Sequence, residues 1–123
     1  MPREILKSAG HACRGFVHAL RAERNLQLFA AGFGGIFLIG LRIGLASSEW
    51  VSLLLAGGTF AAIELLNTAL ECFADGFDDH VKCEHGSECY STIRATKDIA
   101  AAASLVSFIV AVMVIGVVFW AHF

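Results

Sequence analysis

The stretch AIELLNTALECFAD, Ala62 to Asp75, sets Glu64, Asn67, Glu71 and Asp75 into the end of a strongly apolar run. At about 100° per residue, with Glu64 as origin, Asn67 falls at about 300°, Glu71 at about 340° and Asp75 at about 20°. All four therefore share one helical stripe, bordered by Thr68. An ionisable side chain in a spanning segment must be offset by a partner, an ion or water, which marks the position as functional. Carboxylates crowded on one side of a site repel each other. A hard divalent cation relieves that repulsion, and Mg²⁺ combines carboxylate with phosphate oxygens. Beyond the stripe, RATKD brings Lys97 and Asp98, and Glu23 ends an N-terminal basic segment. Carboxylates, an amide, a lysine and a membrane boundary are what phosphoryl transfer from a nucleotide to a lipid hydroxyl needs. The same stripe could serve a proton- or ion-coupled transporter subunit, or fix oligomer register as a buried polar interface.

These groups need elements that hold them at a membrane. The chain has 123 residues, 57% of them hydrophobic and 16% charged, with a mean hydropathy of +0.69. So small a soluble domain could not hide that much apolar surface, so an all-α membrane protein of one domain, 1–123, is expected. The formal net charge of -2 gives no reason to expect nucleic-acid binding. In residues 3–24, Ile5, Leu6, Ala9, Ala12, Cys13, Phe16, Val17 and Leu20 recur at helical spacing, with Arg3, Lys7, Arg14 and Arg21 on other faces. That pattern predicts an amphipathic helix lying in the membrane interface. Three spans follow, at about 26–46, 51–72 and 99–121 by the roughly 20-residue length that crosses a hydrocarbon core. Arg42 snorkels from the far end of the first, and Trp50 and Trp120 suit interfaces. Gly76 to Thr92 reads as a polar, acidic, turn-rich loop.

Basic residues cluster before the first span and between the second and third, which places the N-terminus and the 76–92 loop in the cytoplasm. Residues 1–25 contain no apolar core before a cleavage site, so no cleavable signal is expected. Cysteines on that side stay reduced, and Cys13 and Cys72 read as small packing residues. Gly57 and Gly58 read as allowing close helix packing. His80, Cys83, His85 and Cys89 lack a standard structural zinc spacing, so a solvated loop is the expectation there.

IELLNTALECFAD and ATKDIAAAASL closely resemble the two-part signature of the small prokaryotic integral-membrane diacylglycerol kinase family, which includes undecaprenol kinases. KSAGHACRGF is similar to that family's lipid-side surface helix, and ERN to the glutamate before its first span. The resemblance implies a homotrimeric helical bundle, each subunit a surface helix plus three spans, with sites shared between subunits. It implies Glu64 as the group that takes the lipid hydroxyl's proton, and Glu23 and Glu71 as ligands of Mg²⁺ with the ATP phosphates. It implies Asn67, Glu88, Lys97 and Asp98 as nucleotide-site residues, and Ala9 and Gly10, with Glu64, as lipid-side residues. The chain departs from the family pattern in a longer loop, GFDDHVKCEHG, and in Ser87-Glu88-Cys89-Tyr90 where relatives commonly read Ser-Glu-Tyr-His. The expected activity is transfer of the γ-phosphoryl of Mg-ATP to diacylglycerol, giving phosphatidic acid, at the cytoplasmic face of a bacterial inner membrane. Undecaprenol is the second choice of substrate, and a transporter subunit or an idle scaffold the remaining alternatives.

Overall fold

The computed structural model describes the backbone of residues 2–81 and 87–123 and the side chains of residues 3–79 and 91–123. The described residues form helices α1 (Pro2–Ala22), α2 (Arg24–Ile43), α3 (Ser47–Val81) and α4 (Ser87–Trp120). Three of them, α2, α3 and α4, are long and apolar enough to cross a membrane. The all-α expectation of a surface helix and three spans is met. The chain divides into two compact units, residues 1–39 and 40–123.

In the first unit, α1 opens with Pro2, whose fixed φ suits a first helical position. It closes with Arg21 in its last turn, where the helix dipole favours a cation. Glu23 stands between α1 and α2, yet the helical ladder runs through it. Its N–H donates to the Ala19 carbonyl at 2.8 Å, and its carbonyl accepts from Gln27 N–H at 3.2 Å. The carbonyls of Leu20 and Arg21 also accept from a side chain. Gln27 Nε2 donates to both, at 2.9 and 3.3 Å, which satisfies groups that a helix end leaves without a helical partner.

The second unit begins in the last turn of α2. Gly44 adopts φ 74°, the left-handed conformation that only glycine takes without penalty. The N–H groups of Gly44 and Leu45 both donate to the Gly40 carbonyl, at 3.1 and 3.3 Å, a glycine C-cap. A Cβ on Gly40 would lie 2.7 Å from Leu45 Cδ1 and 3.0 Å from Trp50, so the turn needs glycine there for space. Glu49, in the first turn of α3, accepts from Ala46 N–H at 2.7 Å, the back half of a capping box. Its other oxygen meets His122 Nε2 at 2.8 Å. Beneath lie buried Leu45, Leu53 and Val118, packed with Ile43, Trp50, Val114, Ile115 and Phe119.

α3 and α4 run antiparallel, as shown by the contacts Glu49–His122, Phe60–Phe108 and Asp75–Lys97, in which one number rises as the other falls. Leu53, Gly57, Phe60, Glu64 and Thr68 form the buried stripe of α3, and Ala100, Ser104, Ser107, Ala111 and Val118 that of α4. Steps of three, four and seven residues keep each stripe on one face.

Three expectations change. The segment 76–92 is not a long loop: α3 continues to Val81 and α4 starts at Ser87. Hydropathy marks where the membrane ends, not where a helix ends, and no proline stops either helix. Phe73 and Phe77 stack one turn apart at 6.2 Å, extending α3 past the apolar run. With 35 residues, α3 is roughly 52 Å long at about 1.5 Å per residue, well beyond a hydrocarbon core of about 30 Å. Cys13 and Cys72 are free and exposed rather than packed. Gly57 lies on the α4-facing stripe, but Gly58 is exposed and an added Cβ there would meet nothing. Of the loop residues, His80, Cys83, His85 and Cys89 lie outside the described side chains.

Candidate functional site

Burial along the polar stripe of α3 falls steadily in one direction. Glu64 is 3% exposed and Thr68 5%, Asn67 and Glu71 are half-buried, and Asp75 is exposed. The stripe therefore starts inside the α3–α4 packing and climbs out of it over about three turns.

At its deep end, Ser104 of α4 donates its hydroxyl to Glu64 Oε2. Thr68 Oγ1 donates to the Glu64 carbonyl at 3.0 Å, closing the next turn of α3. One turn the other way, the rings of Phe60 and Phe108 tilt together at 5.5 Å. The carboxylate is held by a hydroxyl, one turn along α3 from an aromatic pair. Such a group is costly to bury unless hydrogen-bonded.

One turn outward, Asn67 Nδ2 donates to Glu71 Oε1 at 3.2 Å, an i,i+4 bond that the helical spacing allows. The carboxylate fixes the amide's orientation, since reversing it would set oxygen against oxygen. Asn67 Oδ1 is then buried without a hydrogen-bond partner. Buried polar atoms are nearly always paired, so an orphaned acceptor beside a carboxylate points to a missing partner. Asn67 Oδ1 and the Glu71 carboxylate offer the oxygen donors that a hard cation takes. Among the described residues, no group of three or more His, Cys, Asp and Glu side chains is gathered to hold a metal ion.

At the mouth, Lys97 Nζ meets Asp75 Oδ1 at 2.7 Å, with both side chains partly open. Asp98, next along α4, is exposed. In the second unit the fold therefore brings Glu64, Asn67, Glu71 and Lys97 onto the α3–α4 pair in the expected order. Glu23, half-buried, and Ala9 and Gly10, exposed on α1, belong to the first unit. Gly10 has open space where a side chain would stand. Glu88 lies in the first turn of α4, and its side chain is outside the described residues. Ser104 was not foreseen from sequence. Its only signal is a serine pair, Ser104 and Ser107, in an otherwise apolar run, which reads as small-residue packing.

A family profile described as "Prokaryotic diacylglycerol kinase" matches residues 10–119. The chain belongs to the prokaryotic diacylglycerol kinase family. The match takes in every candidate site residue except Ala9. The chain is also 35% identical over 110 residues to a protein named undecaprenol kinase from Bacillus subtilis (strain 168), covering 89% of this chain and 83% of that protein. As a member of this family with three apolar helices of spanning length, it is a multi-pass membrane lipid kinase.

Proposed function

We propose that this lipid kinase transfers the γ-phosphoryl group of ATP to the primary hydroxyl of undecaprenol, with diacylglycerol as the second substrate choice. The observation that carries the choice is the 35% identity to an undecaprenol kinase over 89% of the chain. It reverses the order expected from sequence, which put diacylglycerol first. The surroundings of Glu64 support the reversal. A diacylglycerol brings two ester carbonyls that want donors, whereas the nearest hydroxyls, on Ser104 and Thr68, already donate within the protein. The neighbouring turn offers aromatic carbon from the exposed Phe108, packed on buried Phe60, which suits an alcohol on a bare hydrocarbon chain.

In this reading Glu64 accepts the lipid hydroxyl's proton as the alcohol oxygen attacks the γ-phosphorus. A P–O bond forms to the lipid, the bond to the β–γ bridging oxygen breaks, and ADP leaves. Glu71 and the orphaned Asn67 Oδ1 would hold Mg²⁺, and the family resemblance adds Glu23 as a further ligand. When bound, the ion would neutralise phosphate charge and orient the leaving group. Lys97, held by Asp75, presents a cation to the phosphates, and Asp98 and Glu88 border the nucleotide. Ala9 and Gly10, on the amphipathic α1, face the lipid at the membrane surface. The site opens to the cytoplasmic side of a bacterial inner membrane, where ATP is found. A homotrimer would cover the exposed apolar faces and let Glu23 of one subunit serve the stripe of another.

The test offers undecaprenol and diacylglycerol in competition in mixed micelles and follows label from ATP into each lipid. Label mainly in undecaprenyl phosphate is expected. Label mainly in phosphatidic acid would restore the original order. Label in neither, with proton or ion flux in vesicles, would favour the transporter alternative.

A further inference from the structure

We propose that Ser104 is a positioning residue for phosphoryl transfer: its hydroxyl pins one oxygen of the Glu64 carboxylate so that the other is presented to the lipid alcohol. The proposal rests on the reading of Glu64 as proton acceptor. Its basis is where hydroxyls in this fold send their bonds. Ser52, Thr68, Thr96 and Ser107 turn back onto backbone carbonyls of their own helices, at 2.9, 3.0, 2.9 and 2.8 Å. That is the default for a hydroxyl in a helix. Ser104 instead crosses from α4 to Glu64 on α3, forty positions away in sequence.

Both partners are buried, Glu64 at 3% and Ser104 at 9% exposure. A hydroxyl bond to a carboxylate in such a place is stronger than one between neutral groups. The geometry around it leaves little play. Thr68 closes the α3 turn that carries Glu64, and the Phe60–Phe108 contact sets the helix separation one turn away. With Oε2 taken by Ser104, Oε1 is the oxygen left for chemistry. A base must sit within hydrogen-bond reach of the proton it removes. A long, flexible glutamate side chain meets that condition only if something fixes it.

The experiment compares Ser104→Ala, Ser104→Thr, Ser107→Ala and Glu64→Gln in the full-length protein reconstituted in bilayer nanodiscs. Ser104→Ala is expected to lower kcat about ten- to a hundredfold while KM for ATP stays within twofold. Ser104→Thr, which keeps the hydroxyl, is expected to restore most of the rate. Ser107→Ala, which removes a similarly buried hydroxyl from the same helix, is expected to leave the rate unchanged. An activity-independent readout is the infrared carboxylate band of Glu64, identified by its loss in Glu64→Gln. That band should shift in Ser104→Ala and stay in place in Ser107→Ala.

A wild-type kcat with an unmoved band in Ser104→Ala, alongside an inactive Glu64→Gln, would overturn the positioning role and leave the Glu64 reading standing. An active Glu64→Gln would overturn the Glu64 reading itself, and with it this proposal. Equal losses in Ser104→Ala and Ser107→Ala would mean that the serines serve packing alone, which also overturns it. If Ser104→Ala does not insert as a helical protein, Ser104→Cys replaces it with a weak donor of similar size. A wild-type rate in that variant would overturn the proposal, and an intermediate rate would support it.

Discussion

At the Glu49 end of the α3–α4 pair, polar groups are closed off by the protein. Ala46 N–H and His122 take one oxygen each of Glu49, and the Gly40 carbonyl accepts from two N–H groups. Leu45, Leu53 and Val118 fill the space behind. At the Glu64 end the same two helices leave polar groups with capacity to spare. Asn67 Oδ1 is buried and orphaned, Glu64 is bonded through Oε2 to a single hydroxyl, and Lys97 meets Asp75 in the open. One helix pair thus carries a finished corner at one end and an unfinished polar track at the other. Unsatisfied buried groups are destabilising, and the proposed Mg²⁺ site would give the orphaned Asn67 Oδ1 its partner. A corner that spends every bond internally is where the fold is fixed.

The contrast can be broken most severely at Glu64. Glu64→Gln keeps size and can still accept from Ser104, but it cannot take a proton. Losing a general base typically costs about 10²–10⁴ in rate, so lipid phosphorylation should fall by that much. A loss of only a few-fold would remove Glu64 from the chemistry. Next is Glu71→Ala, which takes the carboxylate from beside Asn67 Oδ1. It should raise the Mg²⁺ concentration needed for half-maximal rate by about tenfold or more, since even outer-shell groups alter metal sites by about 10–100-fold. A magnesium titration that overlays the wild type would sink that assignment.

A smaller effect tests the shared site. If Glu23 and Glu64 of one site come from different subunits, co-refolded Glu23→Ala and Glu64→Gln chains should regain activity. For random mixing in a closed ring, about one interface in four pairs the intact halves, so roughly a quarter of wild-type activity is expected. Mixed assemblies that stay inactive would place both glutamates in one chain.

At the corner, effects should appear in stability and not in rate. Gly40→Val drives a side chain into Leu45 and Trp50, and overpacking of this kind costs about 1–3 kcal/mol. Denaturation in detergent should show the loss, while the folded fraction keeps its KM values. His122→Ala should do least, leaving kinase activity unchanged. A large kinetic effect of His122→Ala would contradict the division between the two ends.

Much of this was legible in the residues. Helix number and the order of the stripe follow from hydropathy and from the spacing of Glu64, Asn67, Glu71 and Asp75, because a helix converts steps of three and four into one face. The Asn67–Glu71 bond follows from the same spacing. The extent of α3 and α4 did not, because polar residues such as Asp78 and Asp79 signal water without ending a helix. Ser104 was hidden for a different reason. A serine in an alanine-rich span has the composition of a packing residue, and only the α3–α4 register shows which group it faces. Gly40 was equally silent, since its need for space comes from Leu45 and Trp50, five and ten positions on.

The most direct test of the division of labour separates binding from transfer in one sample set. ATP affinity and single-turnover transfer to undecaprenol would be measured for wild-type and Glu64→Gln protein in the same nanodiscs. The expected result is ATP affinity within a few-fold of wild type with transfer slowed by about 10² or more, since the proposed mechanism has Glu64 act on the lipid hydroxyl and not on the nucleotide. Transfer at the wild-type rate, or ATP affinity lost in step with transfer, would contradict it.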